Sequence, residues 1–371
     1  MRATRAIIHL EHLRRNLRLL RGRIGAGVKI CLAVKADAYG HGAVQVSKTA
    51  LSEGVEFLAV ATVSEAIELR NAGIQTPVLL LTPPIPEEIG EIPVYNITPV
   101  VAERELITML AEIGRKRGKQ VTVHLKIDTG MGRIGCRPEE APHLLQLITE
   151  TPSLKLGGIC THFPVADSAD NRATLRQLQQ FKDTISNICQ KGLPRGIIHA
   201  ANSGAIIGTA EAYFDMVRPG ILMYGYYPSK EQTRIIEVKP LMELETVVVF
   251  LKRVPEDTPI SYGMTYRTKR ETVIATLPVG YGDGYNRLLS NRGKVSINNR
   301  FFPIVGRVCM DQCMVDLGPD SNVRMYDRVV LFGPDTEGLS AEHIADLIGT
   351  IPYEVTCSIN KRVPRIYSDG I

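Results

Sequence analysis

Lys35 ends an apolar run in the string Ala33-Val34-Lys35-Ala36-Asp37-Ala38-Tyr39-Gly40-His41-Gly42. Desolvation at such a place lowers a lysine pKa, and the unprotonated amine is a nucleophile towards carbonyl compounds. A structural lysine in a salt bridge would leave the same trace. A second string, Lys126-Ile127-Asp128-Thr129-Gly130-Met131-Gly132-Arg133-Ile134-Gly135, contains a literal G-x-G-x-x-G from Gly130 to Gly135. That is the dinucleotide spacing, but the fingerprint belongs to the first strand of its own sheet, and several β/α units precede this one. Arg133 inside the loop suits a carboxylate. A plain glycine turn is an equal reading.

Three further strings follow apolar runs: Thr161-His162-Phe163, His199-Ala200-Ala201-Asn202-Ser203-Gly204 and Val217-Arg218-Pro219-Gly220-Ile221. The last two offer a serine hydroxyl and backbone N–H groups near a helix start, which is what a phosphate needs. His162 or His199 alone reads as an ordinary core histidine. Taken in order, the strings suit a carbonyl cofactor that carries a phosphate. Farther on stand Ser261-Tyr262-Gly263-Met264-Thr265-Tyr266, Gly280-Tyr281-Gly282-Asp283-Gly284 and Gly306-Arg307-Val308-Cys309-Met310-Asp311-Gln312. Tyr262 reads either as a proton-transfer phenol or as a buried strand tyrosine. Cys309 and Cys313 lack a second CxxC or a suitably placed histidine, so no metal site is expected.

Apolar runs at 29–34, 57–61, 78–81, 93–97, 121–127, 154–161, 197–200 and 214–217 read as strands. Helical patterns lie between most of them, at 64–72, 101–117, 138–149 and 171–191. The spacing, roughly 26 residues per unit, is that of β-α-β repeats and predicts a (β/α)8 barrel. Barrel enzymes carry their chemistry at the C-terminal ends of strands, where these strings fall. After Tyr227 the texture turns β-rich, at 238–254, 271–279, 293–297, 302–308, 313–317 and 328–332, with one helical stretch at 340–348. The expected division is a barrel domain over 1–235 and a mainly-β domain over 236–371, with the first few residues available to pair with the second. The leucines Leu10, Leu13, Leu17 and Leu20 mark a first helix. Its arginines, Arg14, Arg15, Arg18 and Arg21, read as a solvated face rather than an RNA patch.

A chain of 371 residues with 44% apolar and 22% charged residues is long enough for two packed domains and is not disordered. A net charge of +5 is too mild to argue for nucleic acid. The longest uncharged stretches fall short of the ~20 apolar residues of a membrane span. The start, MRATRAIIHLEHLRR, has no secretory pattern, and seven scattered cysteines fit free thiols in a reducing cytoplasm.

AVKADAYGHG, KIDTGMGRIG, VRPGI, SYGMTY and GRVCMDQ, in this order, resemble the alanine racemase family over nearly the whole chain. Those enzymes use pyridoxal 5'-phosphate (PLP) and have a barrel followed by a β domain. The resemblance implies interconversion of L-alanine and D-alanine by two bases, supplying D-alanine for peptidoglycan. It implies that Lys35 carries PLP covalently and serves as base on one face of the substrate. Tyr262 would work from the other face, and in the family it comes from the partner subunit, so a homodimer with shared sites is implied. Ser203, Gly220 and Ile221 match the phosphate cradle, with Tyr39 and Tyr353 as further phosphate contacts. Arg218 matches the arginine facing the pyridine nitrogen, and His162 a histidine linked to it. Arg133 and the backbone N–H of Met310 match the substrate-carboxylate site, with Asp311 beside Met310. Lys126 matches a lysine that in many members is carbamylated and holds Arg133.

Asp37 stands where the family often has Asn, Gly282 replaces a common Ala, and Pro164 follows a familiar THF; none removes a catalytic group. Two bases on opposite faces of Cα racemise with little motion, and an arginine, which does not readily release a proton, leaves the pyridine nitrogen unprotonated. The competing readings are a serine/alanine racemase, a barrel-type PLP amino-acid decarboxylase, a non-catalytic PLP-binding protein and, from Gly130–Gly135 alone, an NAD oxidoreductase.

Overall fold

The computed structural model describes residues 2–334 and 338–369. Its contacts divide the chain into two compact units, one of Arg14–Ala38 and Ala43–Val238, the other of Met1–Leu13, Tyr39–Gly42 and Lys239–Ile371.

The first unit is a closed barrel of eight parallel strands. In order they are Lys29–Ala33, Phe57–Val60, Val78–Leu80, Ile97–Val101, Val121–Lys126, Leu154–Cys160, Ile197–His199 and Met216–Val217. The first pairs with the last through Lys29 and Met216 and through Ile30 and Val217, which closes the ring. Six strands each give one buried residue (Cys31, Ala59, Leu79, Val100, Cys160 and Met216) to a common cluster that fills it.

The fourth strand lies later than the sequence predicted. Residues Glu91–Val94 form a short helix, and the strand is Ile97–Val101. It contains Pro99, which pairs with Leu80. Ile92 and Pro93 of that helix are buried, as the whole strand is, so apolar character alone does not separate the two. Outside the barrel, the helix Leu10–Ile24 engages two of its arginines with partners. Arg18 makes a two-bond fork to Glu53 at 2.9 and 2.8 Å, and Arg21 donates to the Val28 carbonyl at 2.6 Å.

The second unit is built on a nine-stranded sheet. Its order is Phe250–Val254, Thr272–Leu277, Cys313–Asp316, Arg300–Val305, Lys294–Ile297, Arg328–Phe332, Met242–Val247, Arg5–His9 and Arg365–Ser368. The single β stretch expected over 238–254 is thus two strands, placed far apart in the sheet. The N-terminal strand Arg5–His9 lies between Met242–Val247 and Arg365–Ser368, and it pairs parallel only with the latter. Its alternation of half-buried and buried side chains is the period of two expected of a strand. The helix Ala341–Ile348 is capped by Ser340, whose hydroxyl accepts from the His343 N–H at 3.1 Å. A second helix, Pro352–Ser358, was not foreseen; it carries Tyr353.

Candidate active site

Barrel closure sets Lys35 beside the end of the last strand. The Ala33 N–H donates to the Pro219 carbonyl at 3.0 Å, and the Tyr224 hydroxyl donates to the Ala33 carbonyl at 2.7 Å. Lys35 therefore leaves the barrel next to the turn Arg218–Gly220. It opens a helical turn, Lys35–Gly40, of the wrong hand: Ala36, Asp37, Ala38 and Tyr39 all have φ between 51° and 55°. Left-handed helix costs about 1–2 kcal/mol per non-glycine residue, so this turn persists only where its surroundings hold it. The Ala38 N–H donates to Val34 at 2.8 Å, the Asp37 carboxylate accepts from the Ala43 N–H at 2.7 Å, and Glu65 accepts from the Ala36 N–H at 2.6 Å.

Arg218 is buried at the end of the eighth strand. Its Nη2 donates to the carbonyls of Thr161 at 2.6 Å and Ala200 at 3.0 Å and lies 3.4 Å from His162 Nδ1. Its Nη1 donates to His199 Nδ1 at 2.6 Å, and His199 Nε2 lies 2.7 Å from His124 Nδ1. The His124 ring occupies space left by a bulge: the register between the fifth and sixth strands shifts at Val123/His124. There Gly157 and Gly158 face the ring, and a Cβ on either would come within 2.6 or 2.8 Å of a ring nitrogen. Burial first, then the charge of Arg218, pushes His124 down to about 3 and holds His199 and His162 well below the ordinary histidine value. For His162 the further contributors are Lys126, Arg133 and Lys35, so the fields of four cationic side chains converge on this ring.

The seventh and eighth strand ends form a compact polar turn. Ser203 begins the short helix Ser203–Gly208, with Asn202 as its cap accepting from the Ala205 N–H at 3.1 Å. The Ser203 hydroxyl oxygen accepts from the N–H groups of Gly220 at 2.9 Å and Leu222 at 3.4 Å. Ile221 opens a 3-10 turn, where an N–H has no acceptor within its own helix.

After the fifth strand, the glycine loop does not lead directly into a helix; the next one is Ala141–Glu150. Its N–H groups turn inward on Asp128. Oδ1 accepts from Gly130 and Met131 at 2.8 Å and from Gly132 at 3.2 Å, and Oδ2 from Arg133 at 3.2 Å. Burial works against the Asp128 carboxylate, but these donors outweigh it and hold its pKa low. N–H groups so engaged cannot cradle a pyrophosphate, which removes the dinucleotide reading. Lys126 is buried, and burial, opposed by Cys160 and Asp128 and reinforced by Arg218 and Arg133, lowers its pKa. Among the described residues no carboxylate forms a salt bridge with Lys126, Arg133 or Arg218.

In the β unit, Tyr262 is 72% exposed and is not an interior strand tyrosine. It sits in a turn with Ser261 at φ 67°, Gly263 at 72° and Met264 at 48°. The Ser261 hydroxyl latches the turn by donating to the Arg307 carbonyl at 2.7 Å. Tyr262 shares a hollow with Met264, Phe250, Tyr281, Cys309, Met310 and Met314. Met310 is held through its carbonyl, which accepts from the Gly282 N–H at 2.8 Å, while Arg362 pairs with Asp311 at 2.6 Å. The Tyr39 and Tyr353 rings lie 5.8 Å apart, centre to centre.

The structure thus places Lys35, Lys126, Arg133, His162, Ser203, Arg218, Gly220 and Ile221 in the barrel unit and Tyr39, Tyr262, Met310 and Tyr353 in the β unit. Sequence reasoning missed Glu65, His124 and Arg362. Only Glu65 left a signal: Thr62-x-x-Glu65 is a capping-box pattern at a helix start. Among the described residues no group of His, Cys, Asp or Glu has the geometry to hold a metal ion, and no helix is long and apolar enough to cross a membrane.

Comparison with known proteins agrees with this geometry. Residues 8–228 match the family model for the alanine racemase N-terminal domain and residues 241–367 that for the alanine racemase C-terminal domain. The chain is 50% identical to the alanine racemase of Treponema denticola over 376 aligned positions, covering 100% of this chain and 99% of that one. The structure of alanine racemase from Clostridium difficile 630 superposes with a TM-score of 0.95 at 39% identity, covering 99% of this chain and 96% of that one. The alanine racemase of Bartonella henselae, with covalently bound pyridoxal phosphate, superposes with a TM-score of 0.89 at 28% identity, covering 99% and 100%. The family is PLP-dependent in general. The chain belongs to the alanine racemase family, and it is an amino-acid racemase, an isomerase.

Proposed function

We propose that the chain interconverts L-alanine and D-alanine with PLP carried on Lys35, using Lys35 and Tyr262 as its two bases. The observation that carries this reading is the hydrogen bond from Ala33 to Pro219. It sets the lysine beside both Arg218 and the Ser203–Gly220 turn. The donor set fits the cofactor: a hydroxyl and first-turn N–H groups for its phosphate, a buried guanidinium for its ring nitrogen, and the Arg133 guanidinium for a carboxylate.

When bound, PLP supplies an electron sink that makes an amino-acid Cα–H acidic. The chain's own residues do the rest. Ser203, whose oxygen the Gly220 N–H holds, and the N–H of Ile221 would bind the phosphate, with Tyr39 and Tyr353 as further contacts. Arg218, which has only N–H groups to offer, donates to the ring nitrogen without giving up its proton. His162 braces Arg218 from its second Nη. Arg133 and the Met310 N–H receive the substrate carboxylate. Lys35 takes or returns the proton of D-alanine on one face of Cα, and Tyr262 that of L-alanine on the other. Lys126 supports Arg133; burial lowers its pKa, and addition of CO2 to its amine with loss of a proton would set an anion against that guanidinium.

Tyr262 acts in a partner's site in this proposal, so a second copy covers the hollow around it and the working unit is a homodimer. The proposed setting is the cytoplasm, with D-alanine passing to peptidoglycan synthesis. Purified chain incubated with PLP and L-alanine is expected to lose optical rotation as D-alanine forms. Unchanged rotation, with PLP bound, counts against the assignment.

A further inference from the structure

Glu65 does more than cap a helix. It is the third residue of the helix Val63–Asn71, and the Thr62 hydroxyl accepts from the Glu65 N–H at 3.2 Å while Glu65 Oε2 accepts from the Thr62 N–H at 3.1 Å. Those two bonds complete a capping box. The carboxylate makes two more that a cap does not need. Oε2 also accepts from the Ala61 N–H at 2.8 Å, at the end of the second barrel strand, and Oε1 accepts from the Ala36 N–H at 2.6 Å, just past the end of the first. One carboxylate therefore staples two neighbouring strand ends, and the residue it grips on the first strand directly follows Lys35.

Two features make this grip specific. Ala36 is the first of the four residues with φ near +50°, so its N–H is where the left-handed turn begins. Both carboxylate oxygens are used, each by backbone donors. An amide in place of the acid would turn an NH2 group towards an N–H, which cannot bond to it. The helix carrying Glu65 thus fixes the backbone that aims the Lys35 side chain.

We propose that Glu65 is a positioning residue for Lys35: its carboxylate clamps the left-handed turn and so sets the direction of the lysine amine. The proposal rests on the reading of Lys35 as the cofactor lysine and as the base for D-alanine. Since the clamp acts through Lys35 and leaves Tyr262 alone, its loss affects the two enantiomers unequally. A helix cap that matters only for folding would affect both alike.

The test uses the full-length chain with Glu65→Gln, Glu65→Asp and, as a cap-only control, Thr62→Ala. Hydrogen–deuterium exchange is read on the chain without added PLP, for the Ala36 amide. Solvent-deuterium incorporation at Cα is read with PLP for D- and L-alanine separately. In E65Q the Ala36 amide is expected to exchange much faster than in wild type. D-alanine exchange is expected to fall roughly tenfold to a hundredfold, the range for a misplaced catalytic group, with a smaller change for L-alanine. In T62A both readouts stay near wild type, although the melting temperature drops. Glu65→Asp keeps the charge at the helix start but is too short to span both strand ends; it should behave like E65Q, and it serves should E65Q not fold. Unaltered Ala36 protection in E65Q or E65D overturns the clamp, and so does an equal fall for both enantiomers. A wild-type chain that binds PLP yet leaves both enantiomers unexchanged defeats the proposed function instead, and the Ala36 amide then still judges the clamp.

Discussion

Arg218 donates from Nη1 to His199 Nδ1 at 2.6 Å, and that bond decides the protonation of a chain of side chains inside the barrel. Arginine has no acceptor. His199 Nδ1 must therefore be bare, and the ring is neutral with its proton on Nε2. That proton is then the one donated to His124 Nδ1, 2.7 Å away. The tautomers of both rings follow from the guanidinium, and a proton added to His199 Nδ1 would break the bond that orients Arg218.

Acid should therefore loosen the barrel before it titrates ordinary surface carboxylates. Burial, then Arg218, holds His124 at about 3 when folded, while an unfolded histidine titrates near 6.5. Between these values the unfolded chain binds the proton and the folded chain does not, so stability falls as pH falls through that window. For His124 alone the loss from pH 7 to pH 5 is about 2 kcal/mol. His199 and His162, also depressed, act in the same direction. Urea midpoints of the PLP-free chain at pH 7 and 5 should show this, with a shallower pH dependence in His124→Gln. Equal slopes in the two proteins would contradict it.

Tyr262→Phe should slow Cα deuterium exchange of L-alanine more than that of D-alanine, because Lys35 remains to serve the latter. Borohydride reduction should still trap PLP on Lys35 in this variant. A matched loss for both enantiomers would argue against two separate bases.

The loop that carries Arg133 is shaped by Asp128, whose two oxygens receive four backbone N–H groups. Asp128→Asn removes the charge and turns an NH2 towards one of them. A lost hydrogen bond to a charged group costs about 1.5 kcal/mol, so KM for alanine is expected to rise roughly tenfold, with a smaller change in kcat. Steady-state kinetics in both directions will check it; an unchanged KM would separate Arg133 from the substrate carboxylate.

Gly282 makes room for Arg362. A Cβ there would lie 2.3 Å from Arg362 Nη1 and 2.9 Å from the Met310 carbonyl oxygen. Gly282→Ala should therefore push Arg362 off Asp311, disturb the Met310 peptide and cost on the order of 1 kcal/mol. In an Arg362→Ala background the same change should cost less, since the main obstruction is gone. Thermal melts of the four proteins form the cycle, and strict additivity would show that the two residues do not meet.

The eight-fold β/α alternation was legible because strands buried on both faces read as unbroken apolar runs, and the helices between them keep their own period. Lys35, Ser203, Arg218 and Tyr262 could be named as candidates from the strings in which they stand. The fourth strand was misplaced because the short helix before it is apolar as well, and the helix Pro352–Ser358 is too short to show a period. Other features existed only in three dimensions. His124 and His199 lie 75 residues apart in the chain, and no local pattern announces a ring that fits between two strands because a bulge and two glycines leave space for it. The left-handed turn after Lys35 contradicts the preference of every non-glycine residue in it, so local propensity argues against what is found. Residue types and order determined which chemistry the chain can carry. Closure of the barrel, which bonds Ala33 to Pro219, decided which of those groups stand side by side, since only packing over long sequence separations can overrule local preference.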